Sequence, residues 1–264
     1  MYVANSGAGT ISAIKGTAAA LTWTVGGKPF ALVVDAALNL LYVADSSLNQ
    51  IDILNATTGA VLAVIPTSLQ PTAMALNVAT HYLFVACTGA SGSVVVIDGA
   101  HKQIVTTVGS IPTGTTSISV DPITNVAVLA SPTANIYTVV DAANGYSVLQ
   151  EPGDTGADPI ATAYDAGGPG LFFVADTGDG NIFFADGTGI VTLGNAYQTQ
   201  HSGAGGLAMN PTTNQMGVVY PAGFGEIIDL ENPLFPMFYH SVTTGANPTA
   251  LAFDPLTNRV FFTK

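Results

Sequence analysis

The sequence lacks the residues on which several classes of protein depend. A single cysteine, Cys87, excludes an intramolecular disulfide and a zinc site built on a cysteine cluster. Lysine and arginine total 5 against 17 aspartates and glutamates, which gives a net charge of -12. The clustered cations that bind a phosphate backbone are therefore missing, and nucleic acid is excluded as a partner.

Long apolar runs are also missing, although 48% of the residues are hydrophobic and the mean hydropathy is +0.45. No run reaches the roughly 18 apolar residues of a membrane-spanning helix, so we expect no membrane span and a buried apolar core. The sequence opens at Met1 without the basic segment of a signal peptide, as a mature or trimmed extracytoplasmic protein also would.

An internal repeat is the main feature that the sequence does contain. An acidic or amide residue ends a short apolar run and opens a turn six times, at intervals of 42, 44, 44, 45 and 44 residues. These turn residues are Asp35, Asn77, Asp121, Asp165, Asn210 and Asp254. Three of the turns contain DPITN, NPTTN or DPLTN, and a proline stands six residues before four of the six turn residues. A fixed period of this length indicates a repeat architecture.

Each repeat contains four short runs rich in Val, Ile, Tyr, Phe and Thr, bounded by Gly, Asn, Asp, Ser and Pro, which predict β-strands A, B, C and D. Examples are PTALAF (248–253) for A, LLYVA (40–44) for B, IDIL (51–54) for C, and VLAVI (61–65) and IVTL (190–193) for D. No segment has the 3.6-residue period of a capped helix, so we expect almost no helix.

Four antiparallel strands in every 40 to 45 residues are typical of a β-propeller blade. We therefore predict an all-β fold: a six-bladed β-propeller formed by a single domain, residues 1–264. The repeat units are 28–69, 70–114, 115–157, 158–203 and 204–246. The sixth blade is closed by residues 247–264 together with 1–27, which leaves MYVAN or VFFTK as a redundant strand B; a seven-bladed ring is the minor alternative.

The segments YVANSGAGTISAI (2–14), YVADSSLNQIDI (42–53) and FVADTGDGNIFF (173–184) resemble the YVTN and NHL families of bacterial propeller repeats. The resemblance covers essentially the whole chain and implies the propeller fold. Such propellers serve as binding platforms, cell-surface proteins, sensor domains and occasional lyases, so the resemblance leaves several functions open.

The tight DPxTN turns between strands A and B match ordinary structural turns. Candidate ligand-binding residues are therefore expected on the opposite face, where the longer B–C and D–A loops emerge. Asp45 and Asp176 follow strand B, and Asp176 with Asp179 forms the loop DTGDGN, a low-ranking candidate for calcium. A solvated turn is the stronger interpretation, because the loop lacks the full calcium-binding pattern. No other cofactor is expected.

The D–A loops add further candidates on the same face. Asp154 and Asp158 precede Asp176, and His201 is the one histidine in a loop there, with Asp154 or Asp158 as its expected acidic partner. Tyr220 and Phe224 either line a carbohydrate or peptide site or cover the ends of the strands. Cys87 is expected to be a small buried filler, since no cation stands beside it.

The leading functional hypothesis is a non-enzymatic binding or structural propeller at the cell surface, in the periplasm or secreted, with an unidentified protein, peptide or carbohydrate ligand. The alternative is a metal-dependent lyase or a lactonase-type hydrolase with its site at the channel mouth. Because only 8% of the residues are charged, we also expect the fold to tolerate acid.

Overall fold

The computed structural model describes residues 1–16, 20–152, 158–167, 170–178, 180–186, 197–199, 201–230, 237–245, 247–248, 250–254 and 257–262. Within these ranges the chain forms 25 β-strands, one short 3-10 turn at Pro132–Ala134 and no α-helix. The expected near-absence of helix is thus confirmed for this part of the chain. No helix in it is long and apolar enough to cross a bilayer.

Five antiparallel sheets contain four strands each, in the order A-B-C-D along the chain. The first is β4 (Pro29–Asp35), β5 (Leu40–Asp45), β6 (Gln50–Asn55) and β7 (Val61–Pro66). The second is β8 (Gln70–Asn77), β9 (Tyr82–Thr88), β10 (Gly92–Asp98) and β11 (Gln103–Ile111). The third is β12 (Ser117–Val120), β13 (Val126–Ser131), β14 (Ile136–Asp141) and β15 (Ser147–Pro152).

The remaining two four-stranded sheets have the same order. One is β16 (Pro159–Tyr164), β17 (Leu171–Asp176), β18 (Asn181–Asp186) and β19 (Tyr197–Gln198). The other is β20 (Gly206–Asn210), β21 (Gln215–Tyr220), β22 (Phe224–Asp229) and β23 (Met237–Thr243). The run IVTL, predicted as strand D of the first of these sheets, lies outside the described residues.

Two smaller sheets stand at the ends of the sequence. The first contains β1 (Tyr2–Asn5), β2 (Thr10–Ala13) and β3 (Leu21–Thr24), and the last contains β24 (Leu251–Asp254) and β25 (Arg259–Phe262). The described residues thus form seven sheets. The combination of the two end segments into one blade, and with it the count of six blades, stays a prediction.

The sheets group into two compact units, Met1–Thr115 and Thr116–Lys264. In each unit the apolar core lies between successive sheets. In the first unit Leu41, Val43 and Leu54 face Tyr2 and Trp23. In the second unit Phe173 and Phe184 pack with Met216, Val218 and Tyr220. Because side chains alternate across a strand, the strands inside a sheet supply apolar residues to both of its faces.

The repeated proline has a structural role at the start of strand A. The pairing of strands A and B shifts by one residue just after Pro29, Pro71 and Pro159. Proline has no N–H to donate to a ladder, and it is therefore tolerated at the beginning of an edge strand and beside a bulge. Strand A is an edge strand of each four-stranded sheet, which fits this requirement.

The turn between strands A and B explains the other repeated residues. The side chains of five opening residues accept a backbone N–H two or three residues later: Asp35 from Leu38, Asn77 from Ala79, Asp121 from Ile123, Asp165 from Gly167 and Asn210 from Thr212. The residue four positions later has a φ near +50 to +60° in five turns: Asn39, His81, Asn125, Asn214 and Asn258. Asparagine tolerates this left-handed conformation better than most residues, so the structural interpretation of the DPxTN turns is confirmed.

Candidate functional site

Asp45 is the last residue of β5 rather than a loop residue, and its carboxylate is fully buried. Its oxygens accept hydrogen bonds from the N–H groups of Lys28, Ser47 and Leu48 and from the Ser47 hydroxyl, at 2.8–3.1 Å. Burial alone would raise the pKa of Asp45, but these hydrogen bonds outweigh it and hold the pKa below its ordinary value. The structure therefore gives this predicted binding residue a role in joining loops.

Asp176 and Asp158 lie beside each other in the fourth four-stranded sheet. Asp176 ends β17 and is buried, so like Asp45 it belongs to the strand and not to the loop after it. Asp158 is exposed, and its carbonyl accepts hydrogen bonds from the Thr177 N–H at 3.2 Å and the Thr177 hydroxyl at 3.3 Å. These bonds join the D–A loop to the B–C loop of the same sheet.

Asp154 and Asp179 lie outside the described residues. The convergence of four acids, and a calcium ion held by Asp176 and Asp179, therefore stay predictions. In the ranges that the structure describes, no group of three or more His, Cys, Asp or Glu side chains is placed to hold a metal ion.

His201, Tyr220 and Phe224 come together, although the sequence analysis did not group them. Tyr220 ends β21 and Phe224 begins β22, and the tight turn between them is closed by the Gly223 N–H donating to the Tyr220 carbonyl at 2.9 Å. His201 lies in the D–A loop from the preceding sheet. Its ring stacks on Phe224 with 4.5 Å between centroids and 8° between planes, and it meets the edge of Tyr220 at 5.4 Å.

The loop that carries His201 is held by a neighbouring threonine. The Thr199 N–H and hydroxyl both donate to the Gly180 carbonyl, at 3.0 and 2.7 Å, which ties the D–A loop to the B–C loop of the same sheet. Gly180 has a φ of +75°, a conformation that glycine adopts without strain. The position of His201 above the next sheet therefore depends on contacts within its own sheet.

Glu226 is the acidic partner of His201, and the sequence analysis did not select it. Glu226 Oε1 lies 3.9 Å from His201 Nε2, while Glu226 Oε2 accepts a hydrogen bond from the Tyr220 hydroxyl at 2.8 Å. The glutamate is fully buried, whereas one third of the His201 side chain is exposed. The expected partner Asp158 forms no ion pair with His201, because Glu226 approaches from the adjacent sheet; Asp154 lies outside the described residues.

The sequence did contain a signal for Glu226. Alternate positions of FGEIID (224–229) face the same side of the sheet, and Glu226 shares its side with the buried Ile228. A carboxylate at an inward position of an apolar strand requires a partner, because burying an unpaired charge is unfavourable. We name the group His201, Tyr220, Phe224 and Glu226 the aromatic–glutamate cluster.

Tyr220 is completely buried, so of the two predicted aromatic residues only Phe224 remains partly exposed. Tyr220 therefore packs on the buried side of the cluster, against His201, and its hydroxyl orients the Glu226 carboxylate. Cys87 lies inside β9 and is buried, and burial raises the pKa of its thiol to about 12. A thiol with this pKa is unreactive at neutral pH, which confirms the expected role of a small filler.

Similarity to solved structures shows the fold of the chain. No protein-family model matches the chain, and no curated protein matches it. Among solved structures, a functionally unknown protein from Desulfotomaculum acetoxidans DSM 771 superposes with a TM-score of 0.80 at 14% identity, covering 96% of this chain and 81% of that one. A streptogramin B lyase superposes with a TM-score of 0.78 at 15% identity, covering 99% and 85%.

A third structure is the β-propeller domain of Myceliophteria thermophila Cps50 (Swd1), with a TM-score of 0.68 at 14% identity, covering 83% of this chain and 72% of that one. The consecutive four-stranded antiparallel sheets and these similarities define the class: the chain has the β-propeller fold. Identities this low show the fold alone, so membership in the YVTN or NHL families stays a prediction.

Proposed function

We propose that the chain is a non-enzymatic binding propeller that recognises a ligand at the aromatic–glutamate cluster. The observation that supports this proposal is the stack of His201 on Phe224 above the buried carboxylate of Glu226. Two flat, partly exposed rings at a loop surface offer a contact to a sugar face or to an aromatic side chain. The proposed ligand is therefore a carbohydrate or a peptide.

The buried glutamate supports the same proposal through its effect on His201. Glu226 accepts the Tyr220 hydroxyl and lies within ion-pair distance of the imidazole, which is also held by its contacts with the rings of Phe224 and Tyr220. A site that is already ordered loses less conformational entropy on binding.

Binding to arrays of oligosaccharides and of short peptides tests the proposal. We expect the wild-type protein to bind a restricted set of array members, and His201→Ala or Phe224→Ala to reduce that binding at least tenfold, since anchor residues carry most of the affinity. The matched control is His101→Ala, which removes another histidine, 72% exposed and paired with Asp98 in a C–D turn of the first unit. Equal binding by His201→Ala and wild type would refute the proposed site.

The second candidate function is the enzymatic alternative, a metal-dependent lyase or a lactonase-type hydrolase. An imidazole beside a carboxylate can transfer protons, and a structural neighbour is a streptogramin B lyase. Incubation with a panel of lactones and with a streptogramin B tests this alternative by mass spectrometry, with and without added magnesium. Turnover that His201→Gln abolishes would replace the binding proposal with the enzymatic one, whereas intact substrates throughout would exclude the tested reactions.

Localisation at the cell surface, in the periplasm or outside the cell is part of the proposal. Its support is the resemblance of the repeats to those of bacterial surface propellers and the low content of charged residues. Fractionation of the native host with an antibody against the protein tests it. Recovery of the protein in the cytoplasmic fraction alone would contradict this part of the proposal.

A further inference from the structure

A second concave site lies in the first unit, far in sequence from the aromatic–glutamate cluster. It is a pocket of about 590 Å³ between the sheet of β1–β3 and the C–D turn that follows β6. This volume falls within the range of about 300–1,000 Å³ that is typical of small-molecule sites. Its lining includes Tyr2, Ile14, Lys15, Leu21, Trp23 and Thr57.

Two aromatic rings give the pocket a fixed wall. The rings of Tyr2 and Trp23 lie 5.7 Å apart, and the Tyr2 hydroxyl donates to the Ala56 carbonyl. The indole of Trp23 packs directly on Gly59: a Cβ placed there would lie 2.2 Å from Trp23 Cδ2. Gly59 has no side chain and therefore leaves room for the indole of Trp23, and the hydrogen bond to Ala56 holds the phenol of Tyr2 in place.

The pocket also exposes apolar side chains that the fold does not cover. Leu21 is 62% exposed, although it lies on β3 beside Trp23. Large aliphatic side chains left open beside a concave aromatic wall are typical of binding sites. The body of the ligand is thus expected to be apolar, either aromatic or aliphatic.

Lys15 supplies the polar feature of the pocket. It is exposed and forms no ion pair with any carboxylate that the structure describes. The chain has only 5 lysines and arginines against 17 aspartates and glutamates, so a lysine among the residues that line the pocket is one of few cations in the molecule. An unpaired ammonium at the mouth of such a pocket complements one negative group on the ligand.

We propose that this pocket binds a small amphipathic organic anion, with an aromatic or aliphatic body and a single carboxylate or sulfonate. The body packs against Tyr2, Trp23 and Leu21, and the anionic group pairs with Lys15. This site is independent of the aromatic–glutamate cluster, because all of its residues belong to the first unit.

Trp23 is the only tryptophan in the chain, so tryptophan emission comes from a residue that lines this pocket. The probes are 8-anilinonaphthalene-1-sulfonate and its uncharged analogue N-phenyl-1-naphthylamine, which share a ring system and differ in the sulfonate. We expect saturable quenching of Trp23 by both probes, with the sulfonate binding about five- to tenfold more tightly.

Matched variants separate the charge from the shape of the pocket. Lys15→Met should weaken sulfonate binding about five- to tenfold, to the affinity of the neutral probe, and leave the neutral probe unchanged. Lys28→Met removes the same charge from an exposed side chain outside the pocket and should change neither affinity. Leu21→Asp, tolerated because the side chain is exposed, should weaken the sulfonate more than the neutral probe.

Any one of three results would overturn the proposal. Equal affinities of the wild type for the two probes, an unchanged sulfonate affinity in Lys15→Met, or unchanged Trp23 emission on probe binding would each exclude an anion site here. His201→Ala should bind both probes as the wild type does, so this test and the array test fail independently.

Discussion

At the scale of single residues, two buried aspartates have pKa values shifted in opposite directions, because burial raises both pKa values but only Asp45 accepts enough hydrogen bonds to reverse the effect. Asp45 accepts several hydrogen bonds from backbone N–H groups, so its ionised form is favoured. Asp52 on β6 is also buried, but only one oxygen has a described partner, the Gln50 amide at 2.7 Å. Burial, opposed by the Gln50 bond and assisted by the nearby Asp45 charge, raises the pKa of Asp52 to about 6.

Replacing Asp52 should stabilise the protein at neutral pH. The folded pKa lies above the unfolded value of about 3.9, so the ionised carboxylate destabilises the fold above pH 6, and this penalty disappears below about pH 4. Asp52→Asn should raise the free energy of unfolding by about 1–2 kcal/mol at pH 7.5 and by almost nothing at pH 4. Urea denaturation at the two pH values measures the difference, and an equal gain at both would contradict this account.

The same assay should give the opposite sign for Asp45. Asp45→Asn removes an acceptor of charge-assisted hydrogen bonds from Lys28, Ser47 and Leu48 and should lower the free energy of unfolding by about 1–3 kcal/mol at pH 7.5. Its pKa is lowered in the folded state, so this contribution is present above the unfolded pKa and is lost as the pH falls through the folded value. A stabilising effect of this substitution would show that the hydrogen bonds do not offset the burial of the charge.

At the scale of the element, the A–B turn of one sheet is also joined to that of the next. His81 Nδ1 lies 2.7 Å from Asp35 Oδ2, and Asn210 Nδ2 donates to Asn258 Oδ1 at 2.7 Å, in corresponding positions of the repeat. His81 also has a φ of +61°. The residue at this position of the turn, His81 or Asn258, therefore meets two requirements: it adopts the left-handed conformation and it makes a polar contact to the neighbouring turn.

The repeat itself supplies the control for a test of this contact. His81→Ala should lower the free energy of unfolding by about 2–4 kcal/mol, because it strains the left-handed turn and removes the partner of the buried Asp35. His81→Asn, which restores the residue found at four equivalent turns, should lower it by less than about 1 kcal/mol. Thermal unfolding of the two variants gives the comparison, and equal losses would show that the contact contributes nothing.

At the scale of the whole molecule, the shifted pKa values of three aspartates predict how the Tm depends on pH. Protonation of Asp52 stabilises the fold between pH 7 and 5, while Asp45 and Asp98, whose pKa values are lowered, lose their contributions only at more acidic pH. We therefore expect a Tm that rises slightly from pH 7.5 to 5 and falls below about pH 4. Scanning calorimetry across this range measures it. A steep fall between neutral pH and pH 3 would disprove the expected acid tolerance, and in Asp52→Asn the initial rise should disappear.

Much of the fold was predictable because the same pattern of turn residues and short apolar runs recurs in every repeat, so that each copy supports the strand prediction for the others. A single run such as LLYVA is ambiguous, but six turn residues at nearly equal spacing predict the same strands each time, and the described strands β4 to β6 and β8 to β10 lie where those runs are. The candidate site was predictable in part. His201, Tyr220 and Phe224 were selected from their loops, whereas Glu226 was missed because it lies inside a strand.

The sequence by itself determined the all-β class, the four-stranded unit and the loop face that carries His201, because these follow from local periodicity and turn chemistry. Only the tertiary structure decided that Glu226 faces His201 and that Tyr2 and Trp23 enclose a pocket with Lys15. Only it showed that Asp45 and Asp52 have different surroundings. The physical reason is that these contacts join residues from different strands or sheets, whose distance depends on how the strands pair and the sheets pack, which no local pattern encodes.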